Sequence, residues 1–492
     1  MKAPVCRFSA LDIRWALSRI EETSQESLTP PPRNTLYMPS GHAKALSVNS
    51  SIVVGLRGTG KSYWTAVLNS PEHRAFVARA GRLPELQRTE VAVGFALDPS
   101  SQDFPSVETL ARLNKRGIDA SDVWHTIVLV HAIKTTNRPS LKNGDWTDAI
   151  IWFSENRDAA LVMLAECDRE IAASGRYLMI LFDALDRIGR GWTEVRHYLR
   201  SLLKFCLECR SRRAIRLKIF LRPDMEEDED VWNFVDSSKL RANKVELVWK
   251  PSDLFALVVL HLANDSSCGS EFRSEITKKV KVEWPYEEEE ESYQLPRALT
   301  LEQPGRAVVE GITGEWVGTS AKRGYVYTWV PTHLADAKGR LSPRSFLLAF
   351  RAAAEWTDEH EPDATNALHF KGIQQGVAKA SEIRVAEIAE DYPWVKPLLE
   401  AARGLTVPCQ ILELTGMWKK TKMDQFRAAI GEKLPPRRYG TDPLRKGTVG
   451  ALIEDLVELA ILYRTEDDRL NMPDIFRVGF GIRRMGGVRP PR

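Results

Sequence analysis

The run Gly55-Leu56-Arg57-Gly58-Thr59-Gly60-Lys61-Ser62 fits the pattern G-x-x-x-x-G-K-[ST]. Its chemistry is polyphosphate binding. Glycines let successive backbone N–H groups turn inward around an anion. Lys61 reaches the β- and γ-phosphates, and Ser62 offers its hydroxyl to Mg²⁺. The nucleotide set in this loop is therefore Gly55, Arg57, Gly58, Thr59, Gly60, Lys61 and Ser62. A second part is an acid at the end of another strand. Leu181-Phe182-Asp183-Ala184-Leu185-Asp186 supplies it. Asp183 is placed to hold the Mg²⁺ shell together with Ser62. Asp186 either orients and deprotonates the attacking water or caps the next helix. A third part is Leu221-Arg222-Pro223-Asp224. Arg222, at a strand tip beside the phosphate strand, senses the γ-phosphate or is a surface arginine. Asn243-Lys244-Val245-Glu246 is like a guanine-reading motif but lacks its aspartate, so the nucleotide is read as ATP.

These residues need strands to hold them. Ile52-Val53-Val54 precedes the loop, and Tyr63 to Leu68 reads as the helix after it, with its N-terminus aimed at the phosphates. Tyr177 to Phe182, Ile215 to Leu221 and Val245 to Trp249 are further short apolar runs, separated by helical segments. Strands alternating with helices predict βαβ units and a parallel sheet. The fold class is therefore α/β: a P-loop NTPase core, followed by a helical lid and a C-terminal winged-helix domain. Five segments are expected: a lead-in over 1–45, the core over 46–264, an insertion over 265–335, the lid over 336–380 and the winged-helix-like region over 381–492. The insertion, with prolines at 285, 296 and 304 and the acidic run Glu287 to Glu291, reads as a loop with a small β element. In the last region, Val449 to Leu462 reads as an amphipathic helix, followed by strand, charged turn at Asp467-Asp468, and strand.

Composition bounds the rest. The chain has 492 residues, 43% hydrophobic and 27% charged, which excludes a disordered or collagen-like protein. A net charge of +3 means that any nucleic-acid affinity must come from a local patch. The C-terminal arginines Arg464, Arg469, Arg477, Arg483, Arg484, Arg489 and Arg492 offer such a patch, for DNA, for a partner protein or for the core itself. Six scattered cysteines argue for a reducing compartment rather than a disulfide framework. Without a signal-like start or an apolar run of membrane length, the expectation is a cytoplasmic protein. Cys206 and Cys209 form a lone C-x-x-C, read as two buried structural cysteines, since zinc needs about four ligands. Trp124 and Trp146 sit in apolar patterns and read as core.

Together, the loop 55–62, the strand–Asp–small–apolar–Asp element at 180–186 and the strand–Arg element at 217–222 resemble STAND-type P-loop ATPases of the AAA+ lineage, a group with NACHT-like and origin-recognition-like members. Many AAA+ motors carry glutamate directly after the magnesium aspartate; here Ala184 stands there, which is similar to the STAND form. Phe220 to Leu257 resembles bacterial ATPases found beside anti-phage genes, through Asp236-Ser237-Ser238-Lys239-Leu240 and Leu247-Val248-Trp249. Gly339 to Phe346 falls where such ATPases carry a lid helix, so the resemblance makes Arg344 a second sensor arginine on the nucleotide. It implies a slow or partner-stimulated ATPase with ATP and Mg²⁺, acting as a switch in a multi-protein antiviral defence complex through a protein partner or self-assembly. The alternative is a DNA-binding loader or remodeller of the origin-recognition type.

Overall fold

The computed structural model describes residues 6, 8–20, 28–98, 102–141, 145–189, 191–418, 420–430, 434–441 and 447–485. Arg489 and Arg492 lie outside the described residues. By contacts, the chain divides into two units. One comprises residues 23–31 and 38–248. The other comprises 1–22, 32–37 and 249–492.

The unit over 38–248 is built on five parallel strands: β1 (Ile52–Val54), β2 (Thr89–Phe95), β3 (Tyr177–Phe182), β4 (Ile215–Leu221) and β5 (Val245–Glu246). Their spatial order is β2-β3-β4-β1-β5, which confirms the expected parallel sheet. The central strands are short and almost wholly buried, as apolar runs covered on both faces must be. Four helices between β2 and β3 (Val107–Lys115, Ala120–Thr135, Trp146–Glu155 and Arg157–Ala173) supply much of this unit's core. Trp124 is fully buried, edge-on to Phe182 at 5.4 Å, with its indole N–H donating to the Tyr198 carbonyl. Trp146, Cys206 and Cys209 are buried too, as read from the sequence. The Cys206 thiol is pushed up to about 12 by burial, which makes it unreactive.

Register sets which strand ends meet. Val54 pairs with Leu221, and Phe182 pairs with Ile219. The residues that leave β1, β3 and β4 at their carboxyl ends therefore emerge along one edge of the sheet. That edge is where open parallel sheets bind ligands.

The second unit is mainly helical. Helix Ala10–Ser18 packs on helix Pro343–His360, which lies along helix Phe370–Asp391. Glycine makes the last contact close: a Cβ on Gly376 would stand 2.1 Å from the Ala349 carbonyl oxygen. Helix Phe370–Asp391 runs unbroken through residue 380. The insertion contains the expected β element, Tyr286–Glu287 paired antiparallel with Ser292–Tyr293. Its description as a loop is corrected, because helices Gly269–Val280, Glu302–Thr313 and Val326–Leu334 make up much of it. Pro304 does not break the second of these, since it lies in the first turn, where its missing N–H has no carbonyl to meet. Tyr327 from this segment stacks on Phe255 at 4.5 Å, inside the unit's aromatic core. Near the C-terminus, helix Val449–Glu458 precedes the antiparallel pair Tyr463–Arg464 and Leu470–Asn471, and Cys409 meets Leu470 through a single antiparallel bridge. Helix, strand, charged turn and strand follow the order read from the sequence. No helix among the described residues is long and apolar enough to cross a membrane.

Candidate phosphate site

The loop 55–62 leaves β1 where the Gly55 N–H donates to the Leu221 carbonyl at 3.0 Å. Its glycines are needed where they stand. A Cβ on Gly55 would lie 2.5 Å from Thr59 Oγ1. Gly58 and Gly60 have φ of 81° and 99°, which β-carbon-bearing residues rarely adopt. Thr59 is buried, and its hydroxyl donates to the Leu56 carbonyl at 2.8 Å, holding the loop curled. Helix Lys61–Asn69 starts directly from Gly60, with no side chain capping it. The first N–H groups of that helix point toward the concavity of the loop, and its dipole favours negative charge there.

Lys61 Nζ donates to the carbonyls of Gly55 at 2.7 Å and Leu56 at 2.9 Å. Removal from water pushes its ammonium down to about 8, against the pull of Asp183. Asp183 is buried, and its carboxyl is pushed up by that burial. The Ser62 hydroxyl, the Lys61 charge and the Ala184 N–H oppose the shift by favouring the carboxylate. Asp183 and Ser62 thus meet, as the spacing predicts. Carboxylate and hydroxyl oxygens are the hard donors that Mg²⁺ takes, so this pair fits the ion.

Ala184 has φ 54°, a left-handed conformation that is strained for a residue with a β-carbon. The strain turns the chain into the single 3₁₀ turn Leu185–Arg187, which carries Asp186 back over the strand ends. Asp186 lies inside this turn, and the N-cap of the following helix Trp192–Cys209 is Gly191. The capping reading of Asp186 is therefore set aside. Arg222 is buried to 9% exposure. Its Nη1 donates to Asp186 Oδ2 at 3.2 Å, and its Nε donates to Asp224 Oδ1 at 3.2 Å. Lys61 and Arg222 stand among three carboxylates, Asp183, Asp186 and Asp224, all of which act on the Lys61 charge.

One predicted residue lies in the other unit. Arg344 lies in the first turn of helix Pro343–His360, in the other unit, where its Nη1 donates to Glu387 Oε1 at 2.8 Å. Arg384 holds the second oxygen of Glu387 at 3.1 Å. Of the C-terminal arginines, Arg464 pairs with Glu454 and Asp468, Arg469 with Asp467, and Arg477 and Arg484 with Asp474. Much of that basic run is therefore balanced by its own acids, while Arg483 is exposed.

Sequence reading missed three residues. Asp224 carries a signal in the sequence, since Arg222-Pro223-Asp224 places an acid two residues from the arginine. His42 carries none. Its Nδ1 accepts from Trp64 Nε1 at 3.2 Å, and its Nε2 bonds the Val248 carbonyl at 3.2 Å. It thereby links the helix after the loop to the chain leaving β5. Lys218, central in β4, is fully buried, and its ammonium donates to the carbonyls of Ala45, Ser47 and Ser50 at 2.7, 2.9 and 2.6 Å. These carbonyls belong to the segment that leads into β1, so Lys218 anchors the approach to the loop.

No family model matches the chain, and no curated protein matches it in sequence. It is similar to the solved structure of the ORC2 protein of Aeropyrum pernix in its ADPNP–ADP complexes, at 12% identity and a TM-score of 0.40 over 95% of each chain. The ADP form of the same protein gives 13% identity and a TM-score of 0.33, covering 94% of this chain and 93% of that one. The Cdc6p structure from Pyrobaculum aerophilum gives 11% identity and a TM-score of 0.28, covering 87% and 84%. At these TM-scores the similarity adds no weight to the site, which stands on the residues described above.

Proposed function

We propose that the chain binds ATP with Mg²⁺ in the loop 55–62 and hydrolyses it slowly, as a molecular switch. The observation that carries this reading is the convergence of the glycine loop, the Ser62–Asp183 pair and the Asp186–Arg222 pair at one edge of the parallel sheet. Backbone N–H groups of the loop and of helix Lys61–Asn69 cradle the phosphates. Lys61 exchanges its carbonyl partners for the β- and γ-phosphates. Ser62 and Asp183 hold Mg²⁺, which when bound neutralises charge on the transferred phosphoryl group. Asp186 receives the proton of the attacking water, and Arg222 contacts the γ-phosphate. The bound nucleotide, triphosphate or diphosphate, sets the state of the switch. That state controls self-assembly or the grip on a protein partner, in a defence-type complex of the kind that Phe220–Leu257 resembles. The test is nucleotide binding and ATP turnover by the purified chain beside Lys61→Ala. A Lys61→Ala protein that binds and turns over ATP like the parent sinks the reading.

A second reading, a DNA loader or remodeller, is supported by the helix and hairpin at 449–471, the order of elements in which a winged-helix domain would end. It requires affinity for double-stranded DNA that falls steeply with salt. Charge reversal of Arg483, which is exposed, is the cleaner probe, since Arg484 is tied to Asp474 and its loss also disturbs folding. ATP turnover that rises with DNA favours this reading, and turnover indifferent to DNA favours the switch.

A further inference from the structure

We propose that a pocket in the helical unit, between residues 313–318 and 360–370, docks an arginine side chain presented by a protein partner, while a peptide carbonyl beside that arginine meets the Trp316 indole. The inference goes beyond the ATP reading and stands without it. Every residue lining the pocket belongs to the unit that contains 249–492. The pocket holds about 620 Å³, within the range of sites that take a ligand. Its walls are fixed from behind. Arg14 is buried and donates from Nε to the Ala367 carbonyl at 3.1 Å and from Nη1 to the Pro362 carbonyl at 3.0 Å. The Leu368 N–H donates to the Ile312 carbonyl at 3.1 Å, and Gln374 Nε2 to the Val317 carbonyl at 3.3 Å, so the two walls are joined. Gly314 permits their close approach: its φ is 76°, and a Cβ there would stand 2.7 Å from Asn366 Nδ2.

The lining selects the ligand's charge. Glu315, Glu361 and Asp363 line the pocket, and no lysine or arginine among the described residues does. Lys371, outside the lining, holds Glu361 Oε1 at 3.1 Å and offsets part of that charge. The balance is negative, which repels phosphates and draws a cation. Aromatic rings stand beside these acids. Trp316, His360, His369 and Phe370 line the pocket, and Trp356 stacks on His360 at 4.5 Å with planes 4° apart, which fixes that imidazole. Acids beside flat rings suit a guanidinium better than an ammonium, because its planar fork grips a carboxylate through two N–H groups and stacks on aromatic faces. A second observation separates a peptide arginine from a bare cation. Trp316 Nε1 and His369 Nδ1 are shut off from solvent with no hydrogen-bond partner among the described residues. A buried polar atom left unpaired is destabilising until something supplies its partner. The indole N–H only donates, so it calls for an acceptor. A bare organic cation offers none, whereas an arginine within a peptide brings a carbonyl. The indole turns toward that carbonyl as the segment seats, so the pocket adjusts to its ligand.

The test is a ligand-observed NMR titration of the full chain, without nucleotide, using three probes. They are the blocked tripeptide acetyl-Gly-Arg-Gly-amide, its glutamine counterpart, and butylguanidinium, which keeps the charged head but has no carbonyl. The arginine peptide is expected to bind saturably, and the glutamine peptide at least about tenfold more weakly. The double variant Glu361→Gln, Asp363→Asn should weaken the arginine peptide by about tenfold or more. Trp316→Phe keeps the ring and removes the N–H; it should weaken the peptide by about threefold or more yet leave butylguanidinium within about twofold. Absence of saturable binding by the arginine peptide overturns the proposal, as does equal binding of the glutamine peptide or indifference to the acid variants. Butylguanidinium that matches the peptide, with Trp316→Phe changing neither, makes the occupant a small cation and overturns the peptide. Self-association of the chain that Asp363→Asn abolishes places the arginine on a second copy and overturns the separate partner. Thermal unfolding is the folding control. Asp363 is exposed, so Asp363→Asn alone carries the test should the other variants fail to fold.

Discussion

His42 makes the unit over 38–248 acid-labile in a way that can be worked out from its hydrogen bonds to Trp64 and Val248. Nδ1 accepts from the Trp64 indole, which has only a proton to offer, and Nε2 bonds the Val248 carbonyl, which has only lone pairs. This geometry is satisfied by one species, the neutral Nε2–H tautomer. A second proton would sit on Nδ1, facing the Trp64 N–H, in a fully buried position. Burial accordingly lowers the His42 pKa from 6.5 to about 4, with the Val248 bond partly opposing. The unfolded chain takes up a proton as pH falls through 6.5, whereas the folded chain does not until about 4. Stability therefore declines with falling pH across that window, because the unfolded state binds more protons. The span from 6.5 to about 4, at ~1.36 kcal/mol per pH unit, amounts to about 3 kcal/mol. The assay is urea unfolding followed by circular dichroism at steps between pH 7.5 and pH 4, for the parent and for His42→Gln. The variant is expected to be less stable at pH 7.5 by about 1–2 kcal/mol, from the unpaired partners. Its stability should then fall less steeply on acidification, so that the two profiles cross between about pH 6 and about pH 5 and the variant is the more stable protein near pH 4. Parallel pH profiles for parent and variant would refute the reasoning, since they would show that His42 is not held neutral.

Other perturbations follow from the same geometry. Lys61→Ala is expected to cut ATP turnover by at least ~100-fold in a phosphate-release assay, as the loop loses the lysine that reaches the β- and γ-phosphates. Lys218→Met keeps the volume but leaves the carbonyls of Ala45, Ser47 and Ser50 without their ammonium, and should cost about 3–5 kcal/mol in urea unfolding. A change below about 1 kcal/mol would show that water replaces the ammonium. Gly376→Val should destabilise the helical unit by about 2 kcal/mol or more, because the Ala349 carbonyl occupies the space its side chain needs; thermal unfolding reads this directly.

What the linear sequence determined is local. The glycine pattern, Lys61 and Ser62 announce the loop because anion binding by backbone N–H groups demands that spacing within eight consecutive residues. The apolar runs ending in Asp183 and Arg222 announce strands that present a charge at their tips, because a buried parallel strand must be apolar until it leaves the sheet. The helix and hairpin at 449–471 were legible for the same reason, with an amphipathic helix and a charged turn between short strands. What only the tertiary structure decided is pairing at a distance. The order β2-β3-β4-β1-β5 decides that Asp183, Asp186 and Arg222 share one edge. Asp224 is Arg222's neighbour in sequence, but the assignment of Arg222 to Asp186, 36 residues away, depends on the register between β3 and β4. Lys218 shows the limit most plainly. In an alternating strand it reads as a solvent-facing charge, yet it is buried because three carbonyls from the segment before β1 converge on its ammonium. The insertion escaped as well, since its helices draw their stability from packing such as Tyr327 on Phe255, which no spacing within the segment records.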